Sequence, residues 1–440
     1  MAVPPHRLER SIKHAAIART GSLAVASLSH VLAIRWLGAA GYGEYVIAEA
    51  WVFALGVLAL WGNHLACFTL AEQERRALPA TLLVSGVAII LGLWCVQALV
   101  GLAAVAVLPA AFLPDKLTLA IAGFAVLGLA LYRYISELLR LAVSVELANY
   151  FSGRGTGFVS SAAFGLFVVA LGNSSVGLHD ARSLLLCYAA SQWVGVVIGL
   201  VLLAPGLRGS APGDAPTLSG AETRAALWER GRSIVSTQGL QLAMGNIDIW
   251  VLGALGSPAS IGIYGLAKRF ANWLVVPAGL IGMSGLRQAV REHLGGDRIS
   301  RAFENEFRSA MRLSWFGTAA IVAAAAVVPL SWLAWAGGEA AAQSRAYFIV
   351  LGLGQLLRLA FGNGGLILTA AGFEAENFRA FLCGSLIALV AAPSLIPWID
   401  AWGAAAAFSL GSIAASLLVS RACSRRLGLD ADLLRLWRAA

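Results

Sequence analysis

The chain has 440 residues, of which 59% are hydrophobic and 12% charged, whereas a soluble globular chain is about a quarter charged. That composition excludes a soluble enzyme or binding domain and makes the bilayer span of about 20 apolar residues the unit of counting. A formal net charge of +9 would suit nucleic acid, but the arginines gather at the ends of apolar segments, as the positive-inside rule requires, and nucleic acid is excluded as a partner.

The N-terminus is a basic lead-in (Arg7, Arg10, Lys13) to a retained first span. The apolar run after it is long, contains Arg19 and His30, and lacks a small-x-small cleavage site. Apolar segments fall at 15–37, 46–69, 80–108, 117–141, 155–172 and 181–204, and again at 233–256, 259–285, 310–336, 345–371, 376–398 and 402–420. Twelve spans, six per half, predict an all-α polytopic membrane protein of two pseudosymmetric six-helix lobes. The N-lobe takes residues 1–204, a linker with Pro205, Pro212 and Pro216 takes 205–231, the C-lobe 232–420, and a basic tail 421–440. With the N-terminus inside, the cytoplasmic connections collect Arg75, Arg76, Arg154, Arg208, Arg224, Arg230, Arg287 and Arg291, while the outside ones hold little beyond Lys116, Arg182 and Arg345. Both termini are therefore expected in the cytoplasm. Around 286–307 and in Leu429–Trp437, arginines alternate with apolar residues, a pattern suited to helices lying on anionic headgroups.

The sequence says one thing twice. Leu37-Gly38-Ala39-Ala40-Gly41-Tyr42-Gly43-Glu44-Tyr45 joins the first two spans, and Leu252-Gly253-Ala254-Leu255-Gly256 followed by Gly262-Ile263-Tyr264 joins the seventh and eighth. Repeated hairpins at the start of each half mark a secondary transporter with its substrate site between the repeats. Aligning Tyr45 with Tyr264, an offset of 219 residues, sets Glu49 against Lys268. These opposite charges would pair in one state of a transport cycle and part in another, unless the register is coincidental.

Enzyme chemistry finds no footing: there is no GK[ST] loop, HExxH or GxSxG, and the six histidines are scattered. The five cysteines show no metal spacing and read as small buried hydrophobes. Ionisable residues at membrane depth cost about 2.5–3.5 kcal/mol each on insertion scales, so they face a cavity or a partner. They are Arg19 and Arg35 on the first span, Glu49 on the second, Arg133 and Glu137 on the fourth, Asp248 on the seventh, Lys268 and Arg269 on the eighth and Arg358 on the tenth. Arg133, Glu137 and Arg140 are spaced for pairing along one helix. Gln238, Gln241, Asn246 and Asp248 form a polar stripe on the seventh span, Asn272 follows Arg269, and Gln355, Arg358 and Asn363 mark the tenth. Gly362-Asn363-Gly364-Gly365 predicts a kink there. A central cavity built from Arg19, Arg35, Glu49, Gln241, Asn246, Asp248, Lys268, Arg269, Asn272, Arg358 and Asn363 would hold sugars by its amides and an anion by its cations. Gly195 and Gly199 are explained by helix packing alone.

Arg35-Trp36-Leu37-Gly38 through Tyr45 resembles the first-hairpin motif of Wzx-like polysaccharide biosynthesis flippases, a branch of the multidrug/oligosaccharidyl-lipid/polysaccharide exporter (MOP) superfamily. Asp248 to Gly253 with Gly262-Ile263-Tyr264 to Arg269 is similar to the matching hairpin of the second lobe, and Trp402-Gly403-Ala404-Ala405-Ala406 resembles the start of the last span. The resemblance implies a V-shaped exporter fold in a bacterial cytoplasmic (inner) membrane. It also implies alternating-access transfer of an undecaprenyl-pyrophosphate-linked oligosaccharide for surface polysaccharide synthesis, beside a polymerase and a chain-length regulator. Arg269 and Asp248 are the positions that it points to most directly. The alternative is a cation-coupled multidrug antiporter of the same superfamily, although those exporters usually carry a carboxylate on the first span and 15–37 has none. No cofactor is implied, and coupling to protons, sodium or the membrane potential is not encoded in any motif.

Overall fold

The computed structural model of the chain describes residues 5–68, 70–71, 79–107, 115–152, 157–174, 177–208, 218–279, 281 and 300–429, with the side chains of all but 5–13, 68, 208, 233 and 370. The fold is all-helical. Among the described residues the first half forms α1 (Pro5–Leu60), α2 (Asn63–Phe68), α3 (Pro79–Val107), α4 (Lys116–Ala142), α5 (Val145–Phe151), α6 (Phe158–Gly172) and α7 (Ala181–Arg208). The second forms α8 (Gly220–Leu255), α9 (Pro258–Trp273), α10 (Arg301–Val327), α11 (Leu330–Ala360), α12 (Gly365–Ala370), α13 (Glu374–Ile399) and α14 (Ala401–Leu427). Among the described residues seven helices are long and apolar enough to cross a membrane, α1 at more than twice the length of one span. This is a multi-pass membrane protein.

Each of the twelve expected spans falls at least in part on a helix, with three corrections. The Gly-rich stretch after Leu37 is not an extended connection. Gly38 alone breaks α1 at φ 69°, and the helix resumes at Ala39, so Tyr42 and Tyr45 are helical. The span placed at 310–336 lies earlier, as α10, and its first turns are not a headgroup-lying helix. Phe303 and Phe307 are buried with Met311, Leu359 and Val419 in an apolar core, so the arginines of this stretch flank a packed helix; residues 286–299 lie outside the described residues. The span placed at 345–371 is cut short: α11 ends at Ala360 and α12 follows after the expected break, where Gly362 has φ 80°. Leu429 is buried, and Asp430–Trp437 lies outside the described residues, as do 209–217 between α7 and α8.

The chain divides into two compact units, Met1–Leu37 with Ala48–Gly239, and Gly38–Ile47 with Leu240–Ala440. In the first, α4 buries a face running from Ala125 to Leu139 against α7. Gly195 and Gly199 of α7 lie where added methyl groups would meet Tyr132 and Ile135, which confirms packing as their role. Trp193 caps this contact, its ring stacked on Phe124 at 4.9 Å. In the second, α13 and α14 form a tight hairpin with Gly384 and Gly411 facing each other; a methyl group on either would sit 2.6 Å from the other's carbonyl oxygen. The small residues Gly403, Ala404 and Ala405 begin α14 fully inside this packing.

The repeat noticed in the sequence is a structural contact inside the second unit. A methyl group at Gly43 would overlap the Pro258 carbonyl and lie 2.9 Å from the Gly262 nitrogen. One at Gly262 would overlap the Ala39 carbonyl and lie 3.0 Å from the Gly43 nitrogen. The two glycines and the two carbonyl positions are each 219 residues apart, so the register read from the tyrosines is that of a local two-fold crossing. Tyr45 and Tyr264, its other equivalent pair, are both fully buried.

Candidate functional site: a buried ion pair in the second unit

α8 belongs to the first unit up to Gly239 and to the second from Leu240, and the second part carries Asp248. A turn of two residues, Gly256 and Ser257, leads into α9, where the Ser257 hydroxyl accepts from the Ser260 amide and Pro258 occupies the first turn. A short turn makes consecutive helices antiparallel neighbours. Asp248 and Tyr264 stand at nearly equal distances from it, which sets them level, and Lys268 follows one helical turn later on the same face.

The result is a closed cluster. The Lys268 ammonium donates to Asp248 Oδ1 at 2.6 Å and to the Gly245 carbonyl at 2.6 Å, and it faces the Phe408 ring of α14 at 4.7 Å. The Tyr264 hydroxyl donates to Asp248 Oδ2. Tyr347 stands edge-on to Tyr264, with Trp402 4.5 Å beyond it. Asp248 is 1% and Lys268 3% exposed, a depth at which an uncompensated charge would be expelled or neutralised. Here both carboxylate oxygens and all sides of the ammonium are met, so the cluster is neutral and self-contained. It ties α8, α9 and α14 together. Such a carboxylate is not poised to collect a further cation, and among the described residues no group of three or more His, Cys, Asp or Glu side chains is arranged to hold a metal ion.

Of the residues proposed for a central cavity, Asp248 and Lys268 are the two joined here. The sequence register set Lys268 against Glu49, but its carboxylate partner is Asp248, because the α8–α9 turn brings that residue alongside. In the sequence Tyr264 belongs to the hairpin motif and not to the expected cavity; its near-equal spacing from the turn is the signal that marks it as a partner of Asp248. Asn246 is partly buried and donates to the Leu242 carbonyl of its own helix at 3.0 Å. Arg358 donates to Gln355, one turn back on α11, at 3.4 Å. Gln241, Arg269 and Asn363 are partly buried and Asn272 is exposed; in the first unit Arg19 and Glu49 are partly buried and Arg35 is exposed. The polar stripe of α8 does not share one environment, since Gln238 meets His64 of the first unit at 3.1 Å whereas Asp248 lies inside the second. On α4 the expected intrahelical pairing joins Glu137 to Arg140 at 3.0 Å and leaves Arg133 over the Phe53 ring at 4.5 Å.

No protein-family model and no curated protein sequence matches this chain. Solved structures do. A multidrug resistance MATE family transporter of the MOP superfamily, in an inward-facing conformation, superposes with a TM-score of 0.67 at 12% identity over 92% of this chain and 95% of its own. The lipid II flippase MurJ, inward closed, gives 0.64 at 14% identity over 96% and 91%. A MOP superfamily transporter from Pyrococcus furiosus, whose binding pocket of reverse polarity suggests a different function, gives 0.62 at 14% over 98% and 99%. The fold is that of the MOP exporters. At these identities the likeness concerns the fold and covers nearly the whole chain.

Proposed function

We propose that this chain is a transporter of the cytoplasmic membrane, with both termini inside, which moves a polyprenyl-pyrophosphate-linked oligosaccharide to the outer leaflet by alternating access. The observation that carries this reading is the state of Asp248, the only carboxylate among the described residues buried below one-tenth exposure. An exporter of organic cations needs an available buried acid, and here that acid is neutralised by Lys268 and Tyr264. The remaining intramembrane charges lean basic (Arg19, Arg35, Arg133, Arg269, Arg358), as an anionic headgroup requires. MurJ, similar in fold, is a lipid II flippase, and the Wzx-like hairpin motifs point to a lipid-linked oligosaccharide as well. A polymerase and a chain-length regulator would then act on the product, and the coupling force is a proton gradient, a sodium gradient or the membrane potential.

A second reading, a cation-coupled multidrug antiporter, is favoured by the MATE transporters among the structural neighbours and by the partly buried Glu49. One experiment separates the two: delete the gene, label lipid-linked sugars, and follow surface polysaccharide and sensitivity to cationic drugs. The flippase reading expects surface polymer to be lost while repeat units accumulate on the cytoplasmic side. Unchanged polymer with new drug sensitivity would overturn it in favour of the antiporter.

A further inference from the structure

A polar cavity of about 400 Å³ lies in the first unit, where the chain turns from α4 into α5. It is lined by His14, Ser144, Glu146, Leu147 and Tyr150. Ser144 caps α5, its hydroxyl accepting from the Leu147 amide at 3.0 Å. α5 buries Ala148, Asn149 and Phe151, which leaves Glu146, Leu147 and Tyr150 on the side of the cavity. There the Tyr150 hydroxyl meets His14 Nδ1 at 3.1 Å, the two rings standing edge-on at 6.0 Å. Phe158 backs Tyr150, also edge-on, at 6.1 Å. With the tyrosine donating, the imidazole carries its proton on Nε2. Glu146 is half-buried and has no cationic partner among the described residues.

The level of this cavity in the membrane follows from the chain. His14 stands one residue before the apolar segment 15–37, and Ser144 three residues after 117–141. Both ends lie where the hydrocarbon core gives way to lipid headgroups. The surroundings are apolar: Ile17, one turn along α1 from His14, and Val143 and Val145 beside Ser144 are all exposed. A polar pocket with a carboxylate and an apolar rim fits an amphiphile whose head carries a cation. We propose that this cavity binds the headgroup of an amine-bearing phospholipid. The ammonium sits on Glu146, the phosphate takes the His14 Nε2–H and the Ser144 hydroxyl, and the tails run along Ile17 and Val145. A primary ammonium supplies N–H donors that a quaternary one lacks, so ethanolamine is the head that the carboxylate prefers. The bound lipid braces the start of α1 against the α4–α5 corner. This site lies apart from the Asp248 cluster and does not depend on the transport reading.

The full chain is purified in detergent, and native mass spectrometry follows its titration with dioleoylphosphatidylethanolamine, dioleoylphosphatidylcholine or dioleoylphosphatidylglycerol. Wild type binds the ethanolamine lipid most tightly, ahead of the choline lipid with its quaternary amine and the glycerol lipid with none. Glu146→Gln weakens ethanolamine binding by about tenfold or more, the scale of a lost hydrogen bond to a charged group, and leaves the glycerol lipid unaffected. Glu146→Asp keeps the charge and weakens it less. Tyr150→Phe, which releases His14, weakens it by a smaller factor. Glu374→Gln, at the exposed start of α13, binds as wild type does. Should Glu146→Gln fail to elute as a single folded species, Tyr150→Phe decides the question. An ethanolamine lipid bound no more tightly than the other two, or folded variants that bind it as wild type does, overturns the proposal. Unchanged surface polysaccharide on gene deletion would sink the transport reading and leave this site standing.

Discussion

Replacing Lys268 with methionine tests whether the Asp248 cluster is a closed structural unit. The substitution keeps the length of the side chain and removes its ammonium. Asp248 loses the donor at 2.6 Å on Oδ1, retains the Tyr264 hydroxyl on Oδ2, and stays 1% exposed. Breaking a buried pair from one side costs about 3–5 kcal/mol, because a charge is left without compensation. Asp248→Asn should cost somewhat less, since the ammonium keeps the Gly245 carbonyl and the Phe408 ring. The double variant Asp248→Asn/Lys268→Met removes both charges and should recover much of the loss, at about 1–2 kcal/mol below wild type, because replacing a whole buried pair by uncharged groups is often close to neutral. The cycle therefore predicts a coupling of about 3 kcal/mol or more, well beyond the usual range of additivity. Equilibrium unfolding in detergent mixtures titrated with SDS, followed by tryptophan fluorescence, measures all four proteins. Additive losses, or a single variant as stable as wild type, would refute the view that these side chains hold each other neutral.

Three further outcomes follow from the geometry. Gly43→Ala and Gly262→Ala each force a methyl group onto a backbone carbonyl of the facing helix, and each should cost about 1–3 kcal/mol as overpacking does; the pair should cost less than the sum, since both open the same crossing, and neutral single variants in the same unfolding assay would contradict the contact. Gly38→Ala meets no atom within 4 Å yet must hold φ 69° with ψ 175°, a region essentially reserved for glycine, so its cost should be about 1–3 kcal/mol, from conformation alone, with Gly38→Asn no better than Gly38→Ala; equal stability of Ala and Gly would refute the helix break. At the N-terminal end of α4, Asp115 accepts from the Thr118 side chain and from the Thr118 and Leu117 amides, with Arg182 at 3.1 Å. The Thr118 bonds, more than Arg182, hold its carboxyl below the usual carboxylate value. The folded form thus binds its proton more weakly than the unfolded form, so this contribution is complete at neutral pH and is lost as pH falls through the lowered pKa. An NMR titration of the Asp115 carboxyl should show the lowered midpoint in wild type and a rise toward the ordinary value in Thr118→Val; a midpoint unmoved by that substitution would contradict the assignment.

Much of this molecule was legible in the order of its residues. Apolar runs of bilayer length fix helices because a backbone in lipid must satisfy its own hydrogen bonds, and each of those runs falls at least in part on a helix. The break at Gly362–Gly365 and the packing of Gly195 and Gly199 against α4 could also be read, since glycine carries its conformational and steric meaning locally. The offset of 219 residues between the hairpins proved to be the register of the Gly43–Gly262 crossing. Charge partners could not be read. Lys268 has several acids at plausible depth along the sequence, and only the level set by the Gly256–Ser257 turn selects Asp248. Depth alone does not tell a lining residue from a core one, so a cavity inferred from polar residues included Asp248 and Lys268, which the fold encloses. The same limit hid the loneliness of Arg133: its spacing to Glu137 permits a pair, but Arg140 is one turn nearer the helix end and takes the carboxylate. Sequence thus determined the helices, their breaks and the repeat, which depend on chain-local properties of side chains and backbone in lipid. The tertiary structure decided which charges neutralise one another, because that depends on the distance between helices and on what else occupies the space between them.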